Sequence, residues 1–270
     1  MATLPGIASC YQPQQPSVKA GAAVTYSELQ PAMNLRSHIY CYWELRTRQV
    51  LTDSFYYRVV ADGCIDVFFD ISNEEAPYIM GLSSRYTSFE TGNEFHYIGI
   101  RFLPVALPFI CGFDAALVTN RCELLSDVLP GIAKELKPLL AGKKNIRTYK
   151  VVLDQYWSTL IENCPSTIDM RLMDALKKII DTNGNVQLGK DLYCGLSDRQ
   201  LRRLFHQYIG ESPKLFSKII RFQNLLRAKP SVASLKRHKL FFDAGYYDQA
   251  HFIKEFKLFY GDTPTIALDE

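Results

Sequence analysis

Two stretches in the C-terminal third of this chain share the same punctuation, and they constrain its fold more than any other feature. In GYYDQAHFIKEFKLFYGDTP, Gly245 to Pro264, a glycine offers the positive φ of a sharp turn, Asp248 is a strong N-cap and Gly261 is a stop. The spacing predicts a helix from Gln249 to Tyr260, with Phe252, Phe256 and Phe259 on one buried stripe and Gln249, Lys254 and Lys257 turned elsewhere. Upstream, in GLSDRQLRRLFHQYIGESP from Gly195, Ser197 and Gln200 make an S-x-x-Q capping box, and Gly210 ends the helix it starts. Leu201, Leu204, Phe205 and Tyr208 form the inward stripe, which leaves Arg199, Arg202, Arg203 and His206 on the remaining surface. Three arginines on so short a helix, with few acids nearby, invite a polyanion: the guanidinium fork matches phosphate oxygens and the O6/N7 edge of guanine alike. Periodicity alone leaves a blander alternative open, that of ordinary amphipathic helices with solvated lysines and surface salt bridges.

Charge is segregated along the chain. Ser166 to Tyr260 holds 17 Lys and Arg against 9 Asp and Glu; the rest of the chain holds 14 against 19. A mild net charge of +3 therefore joins a basic module to an acidic one. The basic module would gain affinity for a nucleic acid by releasing its counterions, and the acidic one would stay off it.

The run from Gly245 to Pro264 resembles the C-terminal signature of the AraC/XylS family of bacterial transcription regulators. GLSDRQLRRLFHQYIGESPKLFSKIIRFQ, Gly195 to Gln223, is similar to that family's first helix-turn-helix and connecting helix, and the similarity extends back to about Ile168. The resemblance implies a transcription regulator with double-stranded DNA as its partner, and the helices Ser197–Ile209 and Gln249–Tyr260 as recognition helices in successive major grooves. Arg199, Arg202 and Arg203 in the first motif, with Gln249, His251 and Lys254 in the second, are the candidates for base edges. Lys214, Lys218, Lys236, Arg237 and Lys257 are the candidates for phosphates. Pro213 to Arg227 would be a connecting helix about 22 Å long, which suits two sites one helical turn apart. A small-molecule effector, RNA polymerase and a second copy of the chain are further implied partners. Two positions depart from the pattern: Asp191 and Phe241 stand where such motifs usually place a small residue in the supporting helix.

The first half reads as strands. HIYCYWEL (His38–Leu45), FYYRVVA (Phe55–Ala61), CIDVFFD (Cys64–Asp70) and FHYIGIRF (Phe95–Phe102) are short runs rich in aromatic and β-branched residues, separated by polar turns. The expected class is α+β: an antiparallel, cupin-like barrel or sandwich with trailing helices, followed by an all-α domain with two helix-turn-helix motifs. Helical spacing over Glu123–Leu140 and Tyr149–Asn163 supplies the trailing helices, which either cap the β-domain or pair two copies of the chain. Pro165 breaks the chain near the boundary. The expected division is a flexible, Pro- and Gln-rich tail over residues 1–17, a sensor β-domain over 18–163 and a DNA-binding domain over 166–265.

Arg101 lies on the face of its strand opposite Ile98, Ile100 and Phe102. It is a candidate anchor for a ligand carboxylate inside the barrel, with a salt bridge to one of the chain's own acids as the other use. His38 and His96 stand apart without an H-x-H pattern, so neither a metal nor another cofactor is expected, nor an enzyme. Seven cysteines, odd in number and without a C-x-x-C pair, fit a reducing cytoplasm and small core residues. Cys64, in a turn-like ADGC, is the one candidate redox thiol. No segment reads as a signal peptide or a membrane span. The competing function class is a cytosolic small-molecule sensor or cysteine-dependent enzyme whose helical domain binds protein partners instead of DNA.

Overall fold

The computed structural model describes residues 4, 7–15, 23–71, 76–142, 145–164, 167–192, 194–228 and 245–268. An antiparallel β-domain is followed by an all-helical domain, as the sequence leads one to expect. Among the described residues eight strands build the first: β1 Val24–Leu29, β2 Ile39–Thr47, β3 Phe55–Val59, β4 Ile65–Asp70, β5 Tyr78–Met80, β6 Thr87–Gly92, β7 His96–Phe102 and β8 Cys122–Leu124. Six of them form one sheet in the order β1-β2-β7-β4-β5-β8, and β3 and β6 pair as a separate ribbon. Both faces of the large sheet are covered, which is why its central strands read as nearly unbroken apolar runs. On one face Cys41, Trp43 and Leu45 meet Tyr57 and Val59 of the ribbon. On the other, Tyr42, Phe69, Ile98, Ile100 and Phe102 pack beneath helices.

The trailing helices are α1 Ala106–Cys111, α2 Leu125–Val128, α3 Pro130–Leu140 and α4 Ile146–Glu162. The first expected stretch is interrupted, because Cys122–Leu124 is drawn into the sheet edge against β5 and Pro130 opens a new helix. Helix α4 buries Tyr149, Leu153, Trp157 and Ile161; the Trp157 ring meets Phe102 edge-on at 4.8 Å and Tyr149 packs on Phe69. It therefore caps the β-domain.

The helical domain contains α5 Met170–Asp181, α6 Leu188–Asp191, α7 Asp198–Ile209, α8 Pro213–Ala228, α9 Gln249–Tyr260 and α10 Pro264–Leu268. Its apolar core is continuous with that beneath the sheet, so Phe205, Phe216, Phe222 and Phe256 belong to the same buried cluster as Phe102 and Trp157. The two domains are thus fused along a shared core.

The expected tail is corrected over its described residues. Leu4, Ile7 and Tyr11 are buried, and the Ile7 carbonyl accepts the N–H groups of Cys10 and Tyr11 in a tight turn. Tyr11 donates its hydroxyl to the Asp62 carbonyl, while Gln15 bonds Val60 and Asp62 on the β-domain and Gln14 bonds Gln223 on α8. Composition hid this because the groove that receives the segment exists only once the two domains meet.

Candidate nucleic-acid interface

Helix α7 begins as its capping box dictates: Gln200 N donates to Ser197 Oγ at 3.3 Å, and Ser197 N donates to Gln200 Oε1 at 2.9 Å. Leu201, Phe205 and Ile209 are buried, and Arg199, Arg202, Arg203 and His206 are exposed. Among the described residues none of the three arginines forms a salt bridge, so their charge is directed to solvent.

Helix α9 repeats the plan. Asp248 Oδ1 accepts from His251 N at 2.7 Å, and Phe252, Phe256 and Phe259 fill the buried stripe. Gln249, Lys254 and Lys257 are exposed, as is Lys214 at the start of α8. Ile253 and Leu258 are exposed on the same helix, and Tyr247, 85% exposed, stands just ahead of the cap. Sequence reasoning passed over Tyr247, because an aromatic beside the buried Tyr246 reads as core.

Two candidates have partners inside the protein. Lys218 Nζ lies 2.7 Å from Glu255 Oε2, a carboxylate buried on α9, so its ammonium ties α8 to α9 instead of standing clear for a phosphate. His251 stacks edge-on against Tyr246 at 5.6 Å, and its Nε2 is 3.6 Å from the same Glu255 oxygen. Lys236 and Arg237 lie outside the described residues, as does Phe241 with the supporting helix of the second motif. The supporting helix of the first motif is a single turn, α6, with Asp191 Oδ2 accepting from Gln187 N at 2.7 Å.

The β-domain holds both helices by their C-terminal ends. Gly210, the left-handed cap of α7 at φ 90°, accepts at its carbonyl from Thr119 Oγ1 at 2.9 Å. A Cβ there would sit 2.2 Å from that oxygen, so only glycine permits the approach. At the end of α9, Tyr86 N donates to the Leu258 carbonyl at 3.0 Å and Ala61 N to the Phe259 carbonyl at 3.4 Å. Arg58 meets Asp262 at 2.5 Å just beyond. The N-terminal halves of α7 and α9, which carry Arg199, Arg202, Arg203, Gln249 and Lys254, are not engaged by these contacts. Between them Gln223 on α8, 2% exposed, donates to Ala61 O at 2.7 Å and Gln14 O at 3.1 Å, and accepts from Gln14 N at 2.6 Å.

Residues 60–62 also reach into the β-domain. The guanidinium of Arg101 grips Asp66 through Nε at 3.1 Å and Nη2 at 2.9 Å, with Asp62 3.5 Å away. Cross-strand register places Asp66 directly opposite Arg101. The salt-bridge use is the one realised, and the carboxylate that Arg101 anchors belongs to its own chain. Beyond Gly99 on the same face, a cavity of about 270 Å³ opens between the sheet and the β3–β6 ribbon, walled by Trp43, Tyr57, Phe68, Tyr78 and Tyr97. Trp43, Tyr57, Phe68 and Tyr97 were read in sequence only as strand formers, and Tyr78 was not singled out.

Burial pushes the Cys64 thiol well above its usual range, and Asp62 beside it adds to the effect. Cys10, Cys41, Cys111 and Cys122 are raised for the same first cause. That direction is opposite to what a nucleophilic or redox-sensing cysteine requires. Among the described residues no cluster of His, Cys, Asp or Glu is placed to hold a metal ion, and no helix is long and apolar enough to cross a membrane.

Comparison with known proteins divides the chain the same way. Residues 27–123 match a family described as a domain of unknown function (DUF6597), and residues 193–268 match a family described as a helix-turn-helix domain. No curated protein matches. Among solved structures, apo ToxT from Vibrio cholerae strain SCE256, carrying a lysine-to-alanine substitution, aligns with a TM-score of 0.41 and 10% identity over 91% of this chain and 96% of its own. ToxT from Vibrio cholerae O395 aligns with a TM-score of 0.38 and 12% identity over 92% and 96%. The same protein bound to (E)-4-(8-methylnaphthalen-1-yl)but-3-enoic acid gives 0.38 and 11% over 92% and 98%. Likenesses of that size assign no role to any residue. The matched motifs and the two capped, basic helices identify the C-terminal part of this chain as a helix-turn-helix domain of the AraC type.

Proposed function

We propose that this protein is a sequence-specific DNA-binding transcription regulator of bacteria, acting in the cytoplasm, in which α7 and α9 enter successive major grooves on one face of the duplex. One observation carries the reading. Two capped helices, with the 16-residue α8 between them in sequence, are fastened to the β-domain at their C-terminal ends, while their N-terminal halves present Arg199, Arg202 and Arg203 on one and Gln249 and Lys254 on the other to solvent. At the usual rise α8 spans about 24 Å, a separation compatible with sites one turn of DNA apart. Arg199, Arg202 and Arg203 are assigned to base edges with guanine as the natural partner, Gln249 to adenine and Lys254 to guanine or phosphate. Lys214 and Lys257 are assigned to phosphates, and Tyr247 joins them as a contact at the mouth of the second groove. His251 and Lys218 are assigned to holding α9 in place.

Modulation by a small molecule in the β-domain cavity is part of the same proposal. The coupling route is polar: Arg101 to Asp62, Asp62 to Gln15, and the adjoining Ala61 to Gln223 on α8. RNA polymerase and a second copy of the chain are proposed as further partners, and no catalytic role is proposed. The test is selection of bound sequences from random duplex DNA, followed by titration of the selected site across salt. If about six phosphates are contacted, affinity should fall roughly a thousand-fold between 50 and 200 mM salt. Enrichment of no sequence, with affinity indifferent to salt, would reject the proposal in favour of a protein-binding domain.

A further inference from the structure

The cavity between the sheet and the β3–β6 ribbon is built for one kind of occupant. Its wall is aromatic, with Phe68 stacked on Tyr78 at 5.6 Å and Trp43 at 6.0 Å from Phe68. Gly99 shapes the floor, for a Cβ on it would fall 2.0 Å from the Trp43 indole, so the ring lies flat on bare backbone. An apolar cavity of about 150 Å³ holds benzene; one of about 270 Å³ has room for two fused rings. Of the polar atoms on this wall, Trp43 Nε1 is directed to the Asp66 carboxylate, whereas the Tyr57 hydroxyl, which accepts from Arg101, has no acceptor for its own proton among the described residues. A buried hydroxyl left so is costly, and an acceptor on a ligand would satisfy it.

Charge decides the rest. Among the described residues no cation lines the cavity, and the one charged lining residue is the exposed Glu90. The nearest buried cation is Arg101, beside Tyr57, and it is already held by Asp66 at 2.9 Å with Asp62 at 3.5 Å. A carboxylate entering here would lose its hydration and meet two acids already gathered around one arginine. We infer that the cavity takes an uncharged, planar aromatic molecule bearing a hydrogen-bond acceptor, and discriminates against aromatic carboxylates. This rests on the reading of the cavity as an effector site and narrows the class of effector.

The experiment is a calorimetric titration of the full-length protein with 2-naphthamide and 2-naphthoate, which share their rings and differ in charge. It is run at pH 7.5, above the value of about 6 to which burial lifts Asp66. The amide should bind at least ten-fold more tightly. Tyr57→Phe, which removes one donor and keeps the ring, should weaken the amide several-fold, and Val59→Phe, which fills the cavity, should abolish its binding. Asp66→Asn, checked for folding by circular dichroism, should narrow the preference at least three-fold by leaving Arg101 less neutralised. Binding of naphthoate as tight as that of naphthamide would overturn the inference while leaving an effector site in place. Absence of binding by either, or binding that Val59→Phe leaves unchanged, would overturn the site itself and the inference with it.

Discussion

Replacing Gln223 by alanine should loosen the joint between the two domains more than any surface change. Its side chain is 2% exposed and makes three hydrogen bonds, two to the backbone of Gln14 and one to the Ala61 carbonyl. Each such bond contributes about 0.5–1.5 kcal/mol net, and the buried carbonyl left without a donor adds a further penalty of about 1–3 kcal/mol. The sum is about 2.5–7.5 kcal/mol, discounted toward 3 because Gln14 is only partly buried and regains water. At about 1.4 kcal/mol per factor of ten, that shifts the docked-to-undocked equilibrium roughly a hundred-fold. Because one apolar cluster runs through both domains, the parent protein should melt in a single transition. Gln223→Ala should lower that midpoint by roughly 6–12 °C, at about 2–4 °C per kcal/mol for a chain of this size. Hydrogen exchange followed by mass spectrometry should show faster exchange in residues 7–15 and at Ala61, with α7 protected as before. A variant with unchanged melting and unchanged exchange in the N-terminal segment would refute the argument that this side chain fastens the domains.

Four further outcomes follow from the same geometry. Arg202→Ala or Lys254→Ala should weaken binding to the selected site by about 1–3 kcal/mol and relax preference at one position, as read from affinities on a panel of single-base variants. Lys214→Ala should instead weaken all sequences about equally and flatten the salt dependence, measured by the same titrations. Burial raises Asp66 from 3.8 to about 6 in the folded state, so its contribution to stability is fully present below about pH 4 and is lost as pH rises through about 6. Denaturant unfolding between pH 4 and 7 should show that fall in the parent protein and not in Asp66→Asn. Gly99→Val should destabilise the β-domain by several kcal/mol, since the new side chain must displace the Trp43 indole; a change below about 1 kcal/mol in denaturant unfolding would contradict the packing described.

What could be read from the sequence is what local chemistry decides. The ends of α7 and α9 were legible because Ser197, Gln200 and Gly210, and then Asp248 and Gly261, satisfy backbone groups within their own turn. The strands around Trp43 and Ile100 were legible from their composition. The three-residue strands β5 and β8 were not, because β5 exists only through its pairing with β4 and β8, and β8 only through its pairing with β5. Register was equally hidden: Arg101 and Asp66 were both in view, and only the alignment of β4 with β7 makes them opposites. The N-terminal segment looked like a tail because Pro and Gln dominate it, yet Ile7 and Tyr11 are spaced to fill a groove that no local pattern announces. Lys218 shows the converse limit. Its place on α8 fitted a phosphate contact, and a buried Glu255 contributed by another helix claims it.

The most direct test of two rigidly spaced recognition helices is a binding titration on the selected operator carrying inserts between its two boxes. An insert of about five base pairs turns the second box to the opposite side of the duplex, and one of about ten restores its face while moving it away. With α8 continuous and both helices fastened to the β-domain, the half-turn insert should reduce affinity to the level of random DNA, and moving either box alone should do the same. Affinity unchanged by the half-turn insert would mean that a single helix reads sequence, and would contradict the account.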